Sequence, residues 1–362
     1  MEFKVIDVHS SGAPCRIVID GLDQLGIQGS TMLEKKKYIE QNLDWFRTAL
    51  LKEPRGNVAL NADLVLPPCD ERADVGLVIL NQRPIAPLMS GGNILAFLTA
   101  ILESGVVPVN PDSDITTVNV DTPAGLVTAT AKIGPAGKVE HVTVANVPSY
   151  ATHLDVPLQI PGVGTVTADI AYGGMFYALV EAEALGIELT ADNAAVIGEM
   201  GERVRAAAIE SVVIDNPAAQ GLSAVDAVMI YGPPKFSENN CRNGVVMPML
   251  PGPPAYPTGL PALIDRCPCG TGTSAMIAAL RAKGKLAVGE EFRMESIIDE
   301  VYIAKVAEEI EFHGRPAIIP ELTGTGWIIA RADIVVNEND PLAHGFTVGD
   351  MWPGRPTVNT TS

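Results

Sequence analysis

The chain has 362 residues, enough for two domains of ordinary size, and 47% of them are hydrophobic. With 34 glycines and 28 prolines, it is expected to be globular and rich in loops rather than disordered. The formal net charge of −18 disfavours nucleic acid and anionic membranes as partners. An anionic substrate would therefore need local positive potential, which helix N-termini supply without net charge.

The sequence also bears on where the protein works. Residues 1–7 lack the apolar core of a signal peptide, and the longest apolar helical stretch, residues 94–102, is too short to cross a bilayer. The chain has five cysteines, an odd number, which argues against a disulfide framework. We therefore expect a soluble cytoplasmic protein.

Hydrophobic periodicity predicts strands and helices in two similar series along the chain. In the first series, strands are expected at residues 3–8, 16–19, 62–66, 75–80, 116–120, 125–131 and 139–144, with helices at 31–51 and 94–102. Residues 148–156 are interpreted as a crossing between domains. In the second series, strands are expected at 164–170, 176–180, 227–231, 244–248, 291–298, 302–306, 317–321 and 326–335, with helices at 193–208 and after residue 269.

This order predicts an α+β fold with two similarly built domains, residues 1–155 and residues 156–339. A doubly wound nucleotide-binding fold is not indicated. No Gly-x-Gly-x-x-Gly motif opens a helix after the first strand, and the chain has no Walker loop.

The stretch that carries the most chemical information is DRCPCGTGTSA, residues 265–275. It reads as a turn that opens into a helix, which Thr273 or Ser274 could cap. Cys269 would then lie at the positive end of the helix dipole, which favours the thiolate, beside first-turn amides that can bind an anion. A base beside a carboxylate cradle suits carbon-acid chemistry on an amino acid. Asp265 is either a simple helix-approach carboxylate or the partner of a substrate ammonium.

A second copy of this design precedes it by 179 residues. Ser90-Gly91-Gly92-Asn93 aligns with the Cys269 turn, and Gly91 falls on Gly270. Each copy has a polar residue, a glycine-rich turn, an apolar helix and a terminating glycine. Such segments are common, so the sequence leaves open whether they are a true repeat.

Other chemistries are less well supported. Cys267 and Cys269 lack the second cysteine pair and the nearby histidine that a structural zinc site requires, so no metal is expected. The five histidines have no metal-binding spacing. A serine hydrolase built on Ser90 is disfavoured because Met89-Ser90-Gly91-Gly92 lacks the leading glycine of a nucleophile elbow.

With these residues in view, the chain resembles the proline racemase superfamily over nearly its whole length. That superfamily comprises proline racemases, 4-hydroxyproline 2-epimerases and trans-3-hydroxyproline dehydratases. Residues 265–275 are similar to the second catalytic motif of the family, and Met89-Ser90-Gly91-Gly92 falls where the family has Met-Cys-Gly-His. Further matching segments are residues 29–32, 44–48, 53–56, 121–127, 172–177 and 340–346. The first three of these segments look most like the hydroxyproline epimerase branch.

The resemblance implies two pseudo-symmetric domains of the diaminopimelate epimerase type, each with strands around a central helix and with the active site between them. Residues from about 340 to 362 would return to the first domain. One thiolate would remove the Cα proton and a thiol on the opposite face would return one, without cofactor or metal. By motif position Cys269 is one of these groups and Ser90 stands in place of the other. Asp265 would bind the substrate nitrogen.

The resemblance also assigns the remaining site residues. The turns around Gly91, Gly92, Asn93, Gly270 and Thr271 would hold the substrate carboxylate. Proline or hydroxyproline would be the substrate, and the protein would be a monomer or a homodimer.

Three departures from the family pattern affect this assignment. Ser90 replaces the first catalytic cysteine, and a serine hydroxyl is a far weaker acid than a thiol, which titrates near ~8.5. Gly92 replaces the family histidine. Asp299 stands where the family usually has glycine, and its carboxylate could repel a substrate carboxylate or select a different substituent.

Three functions therefore remain open. In a hydroxyproline 2-epimerase, Cys269 would work on one face of Cα and Ser90, or a water it holds, on the other. In a trans-3-hydroxy-L-proline dehydratase, or an enzyme with both activities, one base suffices because the carbanion expels the 3-hydroxyl. A homologue that only binds an imino acid is the third possibility.

Overall fold

The structure is a computed structural model that describes residues 1–82, 87–214, 224–248, 262–348 and 352. Its helices are α1 (Met32–Asn42), α2 (Asp44–Leu51), α3 (Gly91–Glu103), α4 (Ala182–Leu185), α5 (Ala194–Ser211) and α6 (Gly270–Ala282). Its strands are β1 (Glu2–Ser10), β2 (Ala13–Asp20), β3 (Asn61–Leu66), β4 (Val75–Leu80), β5 (Ile115–Thr122), β6 (Gly125–Ile133), β7 (Val139–Ala145), β8 (Tyr150–Ile160), β9 (Gly164–Tyr172), β10 (Phe176–Glu181), β11 (Ala227–Gly232), β12 (Cys241–Met247), β13 (Leu263–Ile264), β14 (Glu291–Glu295), β15 (Val301–Phe312), β16 (Arg315–Gly324) and β17 (Gly326–Val335).

The contacts divide the chain into two units. The first comprises Met1–Val144 together with Gly324–Ser362, and the second comprises Ala145–Thr323. The sequence predicted the domain boundary at residue 155 and the return of the chain to the first domain near residue 340. Strand β17 belongs to the first unit because it pairs with β1 along its whole length, from Glu2 opposite Val335 to Ser10 opposite Gly326.

In the first unit, eight strands pair in the order β17-β1-β2-β3-β4-β5-β6-β7. Helix α3 packs against β1, β2, β6 and β17, and nearly all of its side chains are buried. Helices α1 and α2 bridge the parallel pair β2 and β3, as a parallel connection requires. A second core, which includes Phe3, Met32, Ile39 and Phe46, lies under these helices.

In the second unit, the order is β8-β9-β10-β11-β12-β14-β15-β16, with the short β13 added beside β12. Helix α6 packs against β8, β9, β10 and β15, in the way that α3 is surrounded in the first unit. Helix α5 lies on β8, β11 and β12 and contributes Ile197 and Val204 to the core.

The two units repeat one design. Along both strand orders the successive pairings are antiparallel, antiparallel, parallel, antiparallel, parallel, antiparallel and antiparallel. Helices α3 and α6 each have 13 residues and are followed by a left-handed glycine, Gly105 or Gly284. The structure therefore answers the question that the sequence left open: the Ser90 and Cys269 segments are equivalent parts of a repeat, and the predicted α+β class is confirmed.

Two of the predicted elements were wrong. The helix expected at residues 31–51 is two helices, because Leu43 leaves helical geometry (φ −127°, ψ 26°) and ends α1 where α2 begins. The break lets each helix place its own apolar side chains on the core. The crossing expected at residues 148–156 is mostly strand β8, which pairs with β9 through two register shifts that obscure the alternation.

Candidate active site

Cys269 is the residue that starts helix α6. It is buried and occupies the N-cap position with φ 63° and ψ 103°, a conformation that is strained for a residue other than glycine. Its side chain makes no capping hydrogen bond. Since the first-turn amides of an α-helix have no acceptor within the helix, the turn presents N–H groups beside the thiol.

The thiol lies in a small polar cluster within the second unit. The Cys269 sulfur is 3.4 Å from the Tyr177 hydroxyl and 3.8 Å from the Thr271 hydroxyl, and these two hydroxyls are 2.7 Å apart. Sequence reasoning did not assign a role to Tyr177. It lies on β10, 92 residues before Cys269, and only the pairing of the strands brings it there. A Cβ on Gly272 would crowd the thiol, because it would lie 3.2 Å from the Cys269 sulfur and 2.8 Å from the end of the flexible Met229 side chain.

The expectation that the helix dipole favours the thiolate is wrong for this environment. Burial, first, and the nearby Asp265 carboxylate raise the pKa of Cys269 to about 12, against the opposing hydrogen bonds from Tyr177, Gly272 and Thr271. A helix N-terminus contributes only partial charge. The free-energy cost of placing a thiolate in a buried site beside the Asp265 carboxylate is larger than that contribution. The resting side chain is therefore the neutral thiol.

Asp265 is joined through Cys267 to the turn that carries Cys269. The Cys267 amide and thiol both donate to Asp265 Oδ1, at 3.3 Å each, and the Cys269 amide donates to the Cys267 sulfur at 3.4 Å. Burial raises the pKa of Asp265 above its usual value. Cys267 therefore connects the carboxylate to the turn.

The predicted caps of α6 are wrong. Thr273 and Ser274 lie inside the helix, and their hydroxyls donate to the Pro268 and Gly270 carbonyls at 2.9 Å each. Asn243 on β12 also donates to the Pro268 carbonyl, at 2.8 Å. These hydrogen bonds hold the turn that carries Cys269 in place.

The Tyr172-Gly173-Gly174 turn packs directly on the first turn of α6. A Cβ on Gly173 would lie 2.1 Å from the Thr271 carbonyl oxygen and 2.5 Å from the Ala275 nitrogen. Asn146 secures the contact by donating to the Gly173 carbonyl at 3.1 Å and to the Ser274 hydroxyl at 2.8 Å. The glycine is required here for close approach.

Replacing Gly173 by alanine should therefore destabilise the protein by at least about 1–3 kcal/mol, because backbone atoms cannot move aside as a flexible side chain can. Urea unfolding would measure the loss. Gly232→Ala is the matched control, since its added Cβ would meet nothing closer than 3.6 Å. Equal stability of the two variants would contradict the close packing of this turn.

Ser90 occupies the equivalent position in the first unit. It is the N-cap of α3 with ordinary extended geometry (φ −147°, ψ 124°), and its hydroxyl accepts a hydrogen bond from the Asn93 amide at 3.4 Å. Its side chain is partly exposed, and Gly91 and Gly92 form the first turn. This turn thus begins a helix as its counterpart does, but with an unstrained N-cap and a weaker acid at its start.

Asn93 belongs to a buried cluster beneath that turn. Its side-chain amide donates to Asp63 Oδ1 at 2.8 Å and lies 3.6 Å from the Cys15 sulfur. Asp63 Oδ2 is buried and has no hydrogen-bond partner among the described residues. Burial raises the pKa of Asp63 to about 7, despite the hydrogen bonds from Asn93 and Cys15.

A raised carboxyl pKa makes the fold less stable as the pH rises. The contribution of Asp63 is fully present below its unfolded pKa of about 4 and is lost as the pH passes through about 7. We expect Asp63→Asn to be more stable than the wild type by roughly 1–3 kcal/mol above about pH 8, with the gap closing only as the pH falls to about 4. Thermal unfolding at several pH values measures this. A gap that is independent of pH would contradict it.

Asp299 does not present a free carboxylate. It is ion-paired with Lys235 at 2.5 Å and with Arg242 at 2.7 Å, and both partners lower its pKa. Its φ of 71° explains why glycine suits this position. Arg242 also binds the buried Glu295, at 3.1 Å. Two cations therefore balance its charge within the unit, and an effect of Asp299 on a substrate group stays a prediction.

Some of the segments that carried the family resemblance are structural. Arg55 donates to the Val335 and Ala343 carbonyls and pairs with Asp340, which ties residues 53–56 to residues 340–346. Asp121 accepts from the Cys69 and Asp70 amides at 2.7 and 3.0 Å. In this chain these residues join separate segments of the first unit.

Comparison with known proteins decides the family. The family model described as proline racemase matches residues 5–347. The chain belongs to the proline racemase family. Among curated relatives, the proline racemase of Clostridioides difficile is 36% identical over 344 residues, covering 95% of this chain and 97% of that protein. The 4-hydroxyproline 2-epimerase of Streptosporangium roseum is 33% identical, covering 95% and 98%.

Solved structures support the same assignment. A crystal structure of a hydroxyproline epimerase from Agrobacterium vitis, with bound trans-4-OH-L-proline, has a TM-score of 0.84 and 31% identity, and covers 97% of this chain and 96% of that one. This member of the proline racemase family is accordingly an isomerase of the racemase and epimerase type, as the sequence predicted.

Two further observations concern what the described residues lack. None of their helices is both long and apolar enough to cross a membrane. None of their His, Cys, Asp and Glu side chains form a group of three that could hold a metal ion. Cytoplasmic location and metal-free catalysis stay predictions.

Proposed function

We propose that this chain is a cofactor-independent hydroxyproline 2-epimerase, and that Cys269 is the base that removes the Cα proton. The observation that carries the proposal is the buried Cys269 thiol at the start of α6, beside first-turn amides and 3.4 Å from the Tyr177 hydroxyl. The Streptosporangium relative is a 4-hydroxyproline 2-epimerase and the Agrobacterium relative binds trans-4-OH-L-proline, which favours 4-hydroxyproline as the substrate.

Each group then has a defined task. Asp265 accepts hydrogen bonds from the substrate ammonium, and the amides of Gly270 and Thr271 hold the carboxylate. Negative charge that develops as the Cα–H bond breaks spreads into that carboxylate, where the same amides stabilise it. We assign the amides of Gly91 and Gly92, with Asn93, to the same carboxylate.

The substrate ammonium has a second role, because its charge affects the pKa of Cys269. A positive substrate nitrogen beside Asp265 offsets the carboxylate charge that holds the thiol neutral. Substrate binding thus favours the thiolate that the reaction needs. The Tyr177 hydroxyl and the Gly272 amide remain to stabilise it.

Reprotonation requires an acid on the other face of Cα. We assign this step to Ser90, or to a water molecule that it holds, because it is the N-cap equivalent of Cys269 in the repeat. The proton taken by Cys269 and the proton given from the Ser90 side balance, so the product is the 2-epimer. Catalysis is asymmetric, since a hydroxyl is a weaker acid than a thiol.

Ser90 also favours a second candidate, a trans-3-hydroxy-L-proline dehydratase. There the electron pair left on Cα expels the 3-hydroxyl as water, and the enamine product tautomerises to the imine. This route needs only one strong base.

Proton NMR in heavy water separates these functions. Purified protein is incubated with trans-4-hydroxy-L-proline, trans-3-hydroxy-L-proline or L-proline. Deuterium at Cα together with a new diastereomer supports the epimerase, and loss of the 3-hydroxyl without an epimer supports the dehydratase. Absence of Cα exchange with all three would overturn both and leave an imino-acid-binding protein.

The dependence of exchange on pH tests the coupling between Asp265 and Cys269. Exchange should rise with pH, because the thiolate forms only as the pH approaches the raised pKa of Cys269. Asp265→Asn removes the carboxylate charge, so the rate profile should move to lower pH while KM rises. Asp299→Asn, a carboxylate in the same unit outside the site, should leave the profile in place. An unchanged profile in Asp265→Asn would refute the coupling.

A further inference from the structure

The Cys267 sulfur takes part in three hydrogen bonds in the turn that carries Cys269. Cys267 is buried, and its thiol donates to Asp265 Oδ1 at 3.3 Å. The same sulfur accepts from the Cys269 amide at 3.4 Å and from the Tyr302 hydroxyl. Tyr302 is fully buried on β15, a strand that packs against α6. One side chain therefore joins β15 to two residues assigned to the reaction.

The protonation state of Cys267 makes it a donor to the carboxylate. Burial, first, and the nearby Asp265 carboxylate raise the pKa of the Cys267 thiol well above its usual value, and the hydrogen bond from Tyr302 opposes this. The sulfur therefore keeps its proton. That proton is directed at Asp265, because the other two neighbours of the sulfur, an N–H and an O–H group, both donate to it.

Both donors of Cys267 hold the same oxygen of Asp265. The Cys267 amide also donates to Oδ1, at 3.3 Å, so the amide and the thiol together fix that atom. Neither hydrogen bond uses Oδ2. This is the oxygen that the proposed function needs for the substrate ammonium, and its direction is set once Oδ1 is held.

The same sulfur supports the residue that carries the base. Cys269 has a φ of 63°, a strained conformation that persists only where its neighbours enforce it. Its amide is held by the Cys267 sulfur, so one atom contacts both Asp265 and Cys269. The separation of these two groups matters, because a misplacement of about 1 Å in an active site can cost on the order of 10²-fold in rate.

We propose that Cys267 and Tyr302 are positioning residues, which keep Asp265 ionised and directed at the substrate ammonium while the same sulfur holds the Cys269 amide. This role rests on the proposed function, in which Asp265 binds the substrate nitrogen. It applies equally to an epimerase, a dehydratase and an imino-acid-binding protein. Neither Cys267 nor Tyr302 exchanges a proton with the substrate.

The dependence of binding on pH separates this role from simple packing. The titratable groups that face Asp265 among the described residues are Arg266, Cys267 and Cys269 in its own loop and Tyr177 on β10. Burial raises the pKa of Asp265, and the hydrogen bonds from Cys267 oppose that rise. Without the thiol, the carboxylate takes up a proton at a higher pH and loses the ammonium there. Lost packing alone would weaken binding equally at every pH.

Calorimetric titration of the full chain over a range of pH measures this effect. The ligands are trans-4-hydroxy-L-proline, trans-3-hydroxy-L-proline and L-proline, and deuterium exchange at Cα gives KM in parallel. Cys267→Ala should raise Kd and KM by about tenfold, as expected for a lost hydrogen bond to a charged group, and should move the acidic loss of binding to higher pH. Tyr302→Phe should move it the same way by less, since the thiol still donates. Cys267→Ser should restore most of the affinity, because a hydroxyl also donates and accepts.

Cys241→Ala is the matched control. Cys241 is a buried cysteine of the second unit whose sulfur contacts the Gly232 carbonyl, and its variant should bind as the wild type does. Circular dichroism confirms that each variant is folded. Binding without Cα exchange in the wild type would refute the epimerase and the dehydratase but not the positioning role. An unchanged acidic limb in Cys267→Ala, a Cys267→Ser variant as weak as Cys267→Ala, or a wild type that binds none of the three ligands would each overturn it.

Discussion

Replacing Cys269 by serine should reduce Cα exchange by about 10³-fold or more. General base catalysis contributes roughly 10²–10⁴-fold, and a buried hydroxyl cannot ionise in this environment when even the thiol pKa is raised to about 12. Deuterium incorporation at Cα measures the loss directly, independently of which product forms. The change from sulfur to oxygen is small in volume, so the fold should survive.

Cys241→Ser is the matched control for this experiment. Cys241 is also buried in the second unit, and its sulfur contacts the Gly232 carbonyl at 3.4 Å, away from the catalytic turn. It should retain wild-type exchange. If Cys269→Ser retains exchange as well, Cys269 is not the base and the proposed mechanism fails.

Replacing Ser90 by cysteine should raise formation of the 2-epimer, by roughly tenfold or more, if Ser90 is the weak acid on the second face. A thiol near its usual pKa of ~8.5 delivers a proton far more readily than a hydroxyl. The readout is the ratio of epimer formed to deuterium incorporated. That ratio isolates reprotonation from proton abstraction.

Ser90→Ala separates the chemistry from the helix cap. Both substitutions weaken the hydrogen bond from the Asn93 amide, at a cost of about 1 kcal/mol. Only the cysteine supplies an acid. An epimer yield that is equal in the two variants would show that the second proton comes from elsewhere. For a dehydratase, Ser90→Cys should leave loss of the 3-hydroxyl unchanged.

The sequence predicted the parts of this site that depend on local rules. Glycine-rich turns before apolar runs located α3 and α6 and placed Ser90 and Cys269 just before them, although each helix begins three or four residues earlier than the sequence indicated, with Ser90 and Cys269 as the N-caps. Two-residue alternation located most strands. These signals work because helix starts and strand faces are determined by neighbouring residues.

What the sequence did not predict depends on distant residues. Tyr177 reaches the thiol only through strand pairing, and the raised pKa of Cys269 depends on burial that no local pattern reports. The hydroxyls of Thr273 and Ser274 donate to carbonyls rather than cap the helix, because α6 begins at Gly270 and both residues lie inside it. Asp299 forms ion pairs with Arg242 and Lys235, which precede it in the sequence by 57 and 64 positions.

The position of β17 has a consequence for biosynthesis. Strand β1 leaves the ribosome before β2 to β16 and its neighbour β17 leaves after them, yet the two strands pair, with Glu2 opposite Val335. Residues 145–323 can complete their strand order while the N-terminal unit still lacks its final strand. The usual order of domain completion during synthesis is therefore reversed. Pairing of β17 with β1 also costs the conformational entropy of closing the long chain segment between them.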